Sequence, residues 1–299
     1  VSNLIDVIED LEQQLKDNNN VFKPTLDTPW PSFNRLVKGF EYGDVVGITA
    51  IAKTGKSSWA INWLDYYAKC KGLNVFFYCL EMDVKRVVRK WISMSTGVEA
   101  KDFTAATLAL TKEIIKNMPG DYLFGYTNFK KADEIFEVMY QAKKRYGLNV
   151  IAFDNLHLLS RAVKDSHNEI NVLSKRMKQI AMELNILLLL IMQPTKIQKG
   201  EIVSIYDSRG SAALVQDVDF GISLHRNKSF QINEKDLTQL GQVDADEAFD
   251  PQMLVKADAC RYAPGGSTTL WFDGALSLVT EMPNSNIYNN PLPTSTIQV

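Results

Sequence analysis

Apolar residues along the chain occur either in short continuous runs or in longer stretches that repeat every three to four positions. Short runs rich in β-branched and aromatic residues are typical of buried strands, and the longer period is typical of helices. The runs that predict strands are 44–49, 74–80, 121–124, 149–153, 186–192 and 220–225. The stretches that predict helices are 57–69, 84–95, 111–117, 131–146 and 169–184. This alternation predicts an α/β fold with a mostly parallel central sheet and helices on both faces.

The two ends of the chain follow other patterns. Apolar residues at 4, 5, 8, 11 and 15 predict an amphipathic helix, whose apolar face must pack on its own domain or on an adjacent subunit. The polar run 17–20 ends this helix, and an extended stretch containing proline follows to Pro31. Three short segments, 253–258, 267–273 and 276–281, predict a small antiparallel extension. We therefore predict a linker helix over 1–20 as a candidate subunit clasp, one α/β domain over 21–281 and a flexible tail over 282–299.

Composition excludes several classes of function. The chain is 45% hydrophobic and 23% charged, with a net charge of −2. This excludes a strongly basic nucleic-acid coat but leaves room for a local basic groove. Cys70, Cys79 and Cys260 lack the spacing of a zinc site or a disulfide framework, which favours a reducing compartment. The longest apolar run, 186–192, is too short to span a bilayer, so we expect a cytoplasmic protein without a membrane partner.

Residues 50–57 read Ala-Ile-Ala-Lys-Thr-Gly-Lys-Ser, a phosphate-binding loop between a predicted strand and a predicted helix. In such a loop, backbone N–H groups wrap the phosphates, the lysine reaches the β and γ oxygens and the serine hydroxyl holds Mg²⁺. The loop therefore predicts ATP or another NTP, with Mg²⁺, as ligands. Ala50 stands where glycine is usual, but the spacing is intact. The predicted nucleotide-binding residues are Ala50, Ile51, Ala52, Lys53, Thr54, Gly55, Lys56, Ser57 and Ser58.

Polar residues follow three of the predicted strands, namely Glu81, Asp154 and Gln193. The carboxyl ends of parallel strands meet at one edge of a sheet, where function gathers in open α/β folds. Asp154 would hold Mg²⁺ together with Ser57, and Glu81 would accept a proton from the attacking water. Gln193 would sense the γ-phosphate. Each also has an ordinary interpretation. Asp154 could cap a turn, Glu81 could be a surface residue, and the Gln193 amide could satisfy a strand end.

Two later regions carry basic residues in unusual settings. Residues 207–219 begin Asp-Ser-Arg-Gly-Ser, whose small residues, backbone N–H groups and single guanidinium suit a DNA phosphate. Arg261 lies between a predicted strand and a Pro-Gly-Gly turn, so it should project at a sheet edge, either into solvent or toward a neighbouring subunit's γ-phosphate. The predicted DNA contacts are Lys196, Lys199, Arg209, Gly210 and Ser211, and the predicted catalytic residues are Lys56, Glu81, Asp154, Gln193 and Arg261.

These motifs, in this order, resemble those of the RecA-type replicative DNA helicases of the DnaB superfamily over residues 28–281. Residues 50–57 match the phosphate loop, 79–82 the motif with the catalytic glutamate and 153–157 the Walker B motif. Gln193 falls at the polar sensor and Arg261 at the arginine finger. The stretch Arg-Gly-Ser-Ala-Ala-Leu is most similar to the phage primase-helicase and mitochondrial helicase branch, which favours a viral source. The chain departs from the pattern at three positions, Ser208, Ala212 and Ala259, the last standing where lysine is frequent.

The resemblance implies an ATP-dependent replicative helicase with a RecA-like core. Its subunits would form a ring, expected to be a hexamer, which hydrolyses NTP at subunit interfaces and moves on single-stranded DNA in a central channel. Primase and DNA polymerase are the implied partners, in the host cytoplasm if the source is viral. Because little chain precedes residue 28, we expect a helicase module, excised or free-standing. A filament-forming RecA-like recombinase and a RecA-fold protein kinase stay open as alternatives.

Overall fold

The computed structural model describes residues 4–17, 26–80, 82–126, 132–155, 168–194, 202–207, 216–227 and 250–283. Within these ranges, nine strands form one sheet in the order β3-β2-β4-β5-β1-β6-β7-β8-β9. The strands are β1 (Val45–Thr49), β2 (Val75–Cys79), β3 (Tyr122–Tyr126), β4 (Val150–Asp154), β5 (Leu187–Met192), β6 (Phe220–His225), β7 (Gln252–Cys260), β8 (Gly266–Asp273) and β9 (Leu278–Glu281). Pairs from β3 to β6 are parallel and pairs from β6 to β9 are antiparallel. The predicted fold class and its antiparallel extension are confirmed.

The helices of the described ranges match the predicted pattern except at two places, the helix Pro31–Val37 and the start of the helix Ala105–Lys116. They are α1 (Leu4–Asp17), α2 (Pro31–Val37), α3 (Lys56–Cys70), α4 (Val84–Thr96), α5 (Ala105–Lys116), α6 (Ala132–Tyr146) and α7 (Asn168–Glu183). Helix α2 was not predicted, because its seven residues are too few to show a clear period. Pro31 begins it without cost, since the first N–H groups of a helix have no partner within it. None of the described helices combines the length and apolar character needed to cross a membrane.

Helix α5 begins at Ala105 rather than at Thr111, where the sequence pattern placed it. The reason is local, because Thr104 and Thr107 cap its first turn reciprocally. The Thr107 N–H donates to the Thr104 hydroxyl at 3.3 Å, and the Thr104 N–H donates to the Thr107 hydroxyl at 3.2 Å. A threonine at the third position can thus replace the usual Glu of such a box.

The sheet separates two apolar layers, which explains why its central strands read as unbroken apolar runs. Strand β5 is buried throughout, and its residues alternate between the layers. Leu187, Leu189 and Ile191 join the layer formed with α2, α3 and α4. Leu188, Leu190 and Met192 join the layer formed with α6 and α7. A strand that is covered on both faces needs apolar residues at every position.

Hydrogen bonds join the beginning of the α/β unit to its end. The Trp30 indole N–H donates to the carbonyl of Val279 at 3.0 Å, and the Ser32 N–H donates to the Glu281 carboxylate at 2.7 Å. Trp30 also stacks on Trp59 of α3, with ring centroids 4.8 Å apart. By contrast, α1 presents exposed apolar side chains, since Leu4 is 72% and Ile5 60% exposed. The predicted amphipathic helix near the N-terminus is confirmed as a helix.

Asp44, directly before β1, is a buried carboxylate that should make stability depend on pH. Burial raises its pKa to about 6, although the hydrogen bond from the Glu41 N–H opposes this increase. Because the folded pKa lies above the unfolded value, the stability contribution is full below about pH 4 and is lost as pH rises through about 6. Asp44→Asn keeps an acceptor for Glu41 and cannot ionise. In thermal unfolding we expect this variant to melt above the unaltered chain at pH 8 and close to it near pH 4. Equal shifts at both pH values would contradict the assignment.

Candidate active site

The carboxyl ends of β1, β4 and β5 open into one cavity of about 850 Å³. Parallel pairing aligns these strand ends, because Thr49 lies opposite Met192 and Asp154 lies opposite Ile191. The cavity is lined by most of the predicted phosphate loop together with two of the predicted strand-end residues. These lining residues are Ile51, Ala52, Lys53, Gly55, Lys56, Ser57, Ser58, Asp154 and Gln193. Ala50 and Thr54 belong to the same loop but are fully buried behind it.

Backbone geometry explains which loop positions need glycine. Gly55 has φ +112, and a Cβ there would lie 3.1 Å from Cε of Met253 and 3.3 Å from Cζ of Phe272. The left-handed conformation therefore favours glycine, and a Cβ there would force the side chains of Met253 and Phe272 to shift. Ala50 has no positive φ and sits in the apolar core, so the methyl group is accommodated without strain. Alanine in place of the usual glycine at this position therefore does not disturb the local fold.

The ammonium group of Lys56 is hydrogen-bonded to the backbone of the phosphate loop. Its Nζ donates to the carbonyl of Ala50 at 2.6 Å and to that of Ile51 at 3.4 Å. Lys56 is also the first residue of α3, with Gly55 as its N-cap. The positive charge, the helix N-terminus and the loop N–H groups thus converge on one place, which is the arrangement that attracts phosphate.

Ser57 and Asp154 meet at the cavity floor, where the serine hydroxyl donates to Oδ2 of Asp154. Asp154 is 3% exposed and ends β4. A hydroxyl and a carboxylate oxygen are the hard donors that Mg²⁺ prefers, and Mg²⁺ usually completes its shell with water and phosphate oxygens. The pair therefore fits the metal of an NTP complex. Among the described residues there is no cluster of three or more acidic, His or Cys side chains that would hold a metal by itself.

Two cations of the cavity wall were missed by the sequence analysis. Arg226 directly follows β6, so the strand-end rule that found Asp154 would also have found it. Its Nε donates to the carbonyl of Asp250 at 2.8 Å, and its guanidinium lies 4.4 Å from the ring centroid of Phe272. Lys90 reaches the wall from α4, and burial lowers its pKa while Asp154 opposes the decrease. No local sequence signal marks Lys90, because α4 carries several basic residues.

The remaining wall comes from the antiparallel part of the sheet. Trp271, Phe272 and Asp273 end β8, and Gly274 and Ser277 belong to the turn before β9. Sequence alone offered no reason to place this turn at the phosphate loop, since its position depends on the pairing of β6, β7 and β8. Met82 also lines the cavity, so the residue directly after Glu81 lies at the site. Glu81 itself, and the predicted DNA contacts Lys196, Lys199, Arg209, Gly210 and Ser211, lie outside the described residues.

Arg261 does not line this cavity. It follows β7, whose last residue Cys260 pairs with Phe220, the first residue of the antiparallel neighbour β6. Arg261 therefore lies at the amino ends of the parallel strands, on the edge of the sheet opposite to the phosphate loop. Its Nη2 donates to the carbonyl of Gln216 at 2.8 Å, and its side chain is 45% exposed. Lys256, the lysine of β7 that lies before Arg261 in the chain, pairs with Asp258 at 3.0 Å.

A profile of the family described as DnaB-like helicase C terminal domain matches residues 25–277. The chain belongs to this family. The DnaB-like chain is 26% identical over 232 residues to the replicative DNA helicase DnaB of Leifsonia xyli subsp. xyli (strain CTCB07), covering 73% of this chain and 49% of that protein. It is 23% identical over 239 residues to DnaB of Treponema pallidum (strain Nichols), covering 77% and 54%. The DnaB-like chain thus spans about half the length of these relatives.

Solved structures share the fold of this DnaB-like chain. One of them, described as an ATPase domain, superposes with a TM-score of 0.75 at 20% identity, over 94% of this chain and 100% of that one. A DnaB-like replicative helicase described with its interactions with primase superposes with a TM-score of 0.73 at 18% identity, over 91% and 67%. The KaiC-like protein PH0186 from Pyrococcus horikoshii OT3 reaches 0.60 at 15%, over 86% and 98%. The RecA-like fold expected from the sequence is thereby confirmed.

Proposed function

We propose that the chain is the motor domain of an ATP-dependent replicative DNA helicase, which hydrolyses NTP at the subunit interfaces of a ring. The observation that carries this proposal is the separation of two half-sites on one sheet. Lys56, Ser57, Asp154 and Gln193 lie around the cavity at one edge, whereas Arg261 lies at the opposite edge. Copies arranged head to tail would bring Arg261 of one subunit to the cavity of the next, and such an arrangement forms a ring when the rotation between copies closes on the first copy.

Each residue of the cavity has a specific task in this proposal. The Lys56 ammonium binds the β and γ oxygens of the NTP, and the loop N–H groups bind the remaining phosphate oxygens. Ser57 and Asp154 would hold Mg²⁺, which would supply positive charge against the phosphate oxygens. Glu81, assigned from sequence, polarises the attacking water, and Gln193 senses the γ-phosphate. Arg261 of the neighbouring subunit stabilises charge that develops on the transferred group.

The ring and its partners follow from the family and from the exposed surfaces. We infer a hexamer that encloses single-stranded DNA, contacted by Lys196, Lys199, Arg209, Gly210 and Ser211. Residues 1–20 would form a clasp, since the exposed apolar face of α1 needs a partner, and residues 21–281 would form the ATPase domain with a tail over 282–299. A primase is the expected partner by analogy with the helicase described with primase, and a DNA polymerase by the replicative role. All of this would take place in the cytoplasm, of a host cell if the source is viral.

The decisive experiment measures NTP hydrolysis by the whole chain with and without single-stranded DNA, together with unwinding of a forked duplex. We expect DNA to stimulate hydrolysis and the fork to be unwound. A hydrolysis rate that is the same with and without DNA would contradict the helicase proposal. Stimulation without unwinding, combined with filaments in electron microscopy, would favour the RecA-like recombinase, and phosphate transfer to protein would favour the kinase. Membership of the DnaB-like family favours the helicase over both.

Trp271 offers a flat apolar surface on the cavity wall, which suits a nucleobase. Stacking of a base on an aromatic side chain is worth about 1–3 kcal/mol, so Trp271→Ala should raise KM for ATP about tenfold. The turnover number should change little, because the base contributes the same contact in the ground state and the transition state. Trp271→Phe keeps a ring and should stay close to the unaltered chain. A lower kcat at unchanged KM would place the nucleobase elsewhere.

A further inference from the structure

Arg261 is hydrogen-bonded to the chain a few residues after 209–211, which we term the DNA-contacting segment because its residues are predicted to contact DNA. Its Nη2 donates to the carbonyl of Gln216 at 2.8 Å, and its backbone N–H donates to the carbonyl of Asp219 at 2.9 Å. On the other side of the segment, the Ile205 N–H donates to the carboxylate of Asp258 on β7 at 3.0 Å. Both flanks of the segment are therefore hydrogen-bonded to the end of β7 and to the residue after it.

Asp219 supplies a fixed negative charge beside Arg261. The residue is 1% exposed, and its Oδ2 accepts hydrogen bonds from Lys178 of α7 at 2.6 Å and from the Val45 N–H of β1 at 2.8 Å. Its Oδ1 lies 3.5 Å from Nη1 of Arg261. Two donors from different elements hold this carboxylate in place, so it is a rigid reference for a side chain that is otherwise half exposed.

We propose that Asp219 is a positioning residue that aims Arg261 at the neighbouring subunit, and that the hydrogen bonds from Arg261 to Gln216 and from Ile205 to Asp258 link this aim to the DNA-contacting segment. The inference rests on the proposed function, in which Arg261 acts on a neighbour's NTP. A long exposed arginine samples many rotamers, and two anchors restrict it while its exposed N–H groups remain available for a phosphate. Movement of Gln216 on DNA binding would turn the guanidinium about the fixed carboxylate.

The first test is Asp219→Asn, which keeps the size of the side chain and an acceptor for Val45 but removes the charge that faces Arg261. We expect the DNA-stimulated kcat to fall about tenfold or more and KM for ATP to stay within about twofold. The reason is that a catalytic group displaced by about 1 Å can lower the rate by this factor or more. The matched control is Asp65→Asn, which removes the charge of another ion-paired carboxylate, 2.9 Å from Lys69. It should keep kcat within about twofold of the unaltered chain, because Asp65 contacts neither Arg261 nor the cavity.

A double variant distinguishes positioning from a general structural role. If Asp219 acts through Arg261, Asp219→Asn should cause no further loss of turnover in an Arg261→Ala background. A structural role would instead lower the residual turnover by the same factor as in the single variant. Equal kcat losses in Asp219→Asn and Asp65→Asn, or independent losses in the double variant, would overturn the proposal.

A second variant tests the link to the DNA-contacting segment, and it can be measured even if Asp219→Asn does not fold. Asp258→Asn weakens the acceptor for the Ile205 N–H and the ion pair with Lys256, and it should lower the ratio of DNA-stimulated to DNA-independent turnover severalfold. Lys256→Met removes the ion pair alone and should keep that ratio. An unchanged ratio in Asp258→Asn would contradict the link.

The unaltered chain separates failure of this inference from failure of the proposed function. If its hydrolysis does not respond to DNA, the proposed helicase function is wrong, and the inference built on it is wrong too. If its hydrolysis responds to DNA and Asp219→Asn responds equally with the same kcat, only the positioning role of Asp219 is contradicted.

Discussion

Lys56→Ala should abolish NTP hydrolysis while leaving the fold intact. The Lys56 ammonium is the positive charge at the start of α3, where the loop N–H groups and the helix N-terminus converge. Charge that develops on the transferred phosphoryl group would lose a stabilising cation of the same subunit. Removing one stabilising donor commonly costs about 10²–10³ in rate, and a charged donor at the phosphates should cost at least as much.

The fold should tolerate this change for local reasons. The lysine lines the cavity, so the space that its ammonium leaves is open to water, and alanine is a good helix former. Turnover with saturating single-stranded DNA and the melting temperature are the two measurements. Lys116→Ala, an exposed lysine of α5, is the control and should match the unaltered chain in both. Turnover above about a hundredth of the unaltered value in Lys56→Ala would contradict the assignment of the loop.

The sequence predicted those features that depend on residues close together in the chain. Each continuous apolar run became a strand, because a strand covered on both faces leaves no room for polar residues. Spacing within 50–57 was enough to define the phosphate loop, and the position after a strand was enough to place Asp154 and Gln193 at the same edge. Local pattern failed at α2, whose short helix depends on burial of Phe33 and Val37 against the core.

Features that depend on pairing between distant segments were not accessible. The order of the nine strands places β1 between β5 and β6, and no local pattern encodes this choice. Trp271 and Phe272 reach the cavity only because β8 follows β7 back along the sheet. Asp219 reads as one of several acidic residues in its segment, and its role beside Lys178 and Arg261 emerges only from three elements that pack together.

Arg261→Ala should remove DNA-stimulated turnover while leaving nucleotide binding largely unchanged. Arginine fingers are worth about 10³–10⁵ in rate in other NTPases, and Arg261 lies outside the cavity of its own subunit. The loss should therefore appear in kcat, with the affinity for a nucleotide analogue kept within severalfold. Direct binding measurement and steady-state hydrolysis together check this expectation. Full turnover in Arg261→Ala would contradict the finger assignment.

Mixing two inactive variants tests whether the arginine acts between subunits. An Arg261→Ala subunit keeps an intact cavity, and a Lys56→Ala subunit keeps an intact arginine, so an interface that joins them in the right order has both parts. Random assembly from equal amounts gives both parts at about a quarter of the heterologous interfaces, and turnover should recover toward this fraction. The control is a Lys56→Ala/Arg261→Ala double variant, which should rescue neither single variant. If the mixture stays inactive although mixed rings form, an arginine that acts within its own subunit would be indicated, against the placement of Arg261 at the far edge of the sheet.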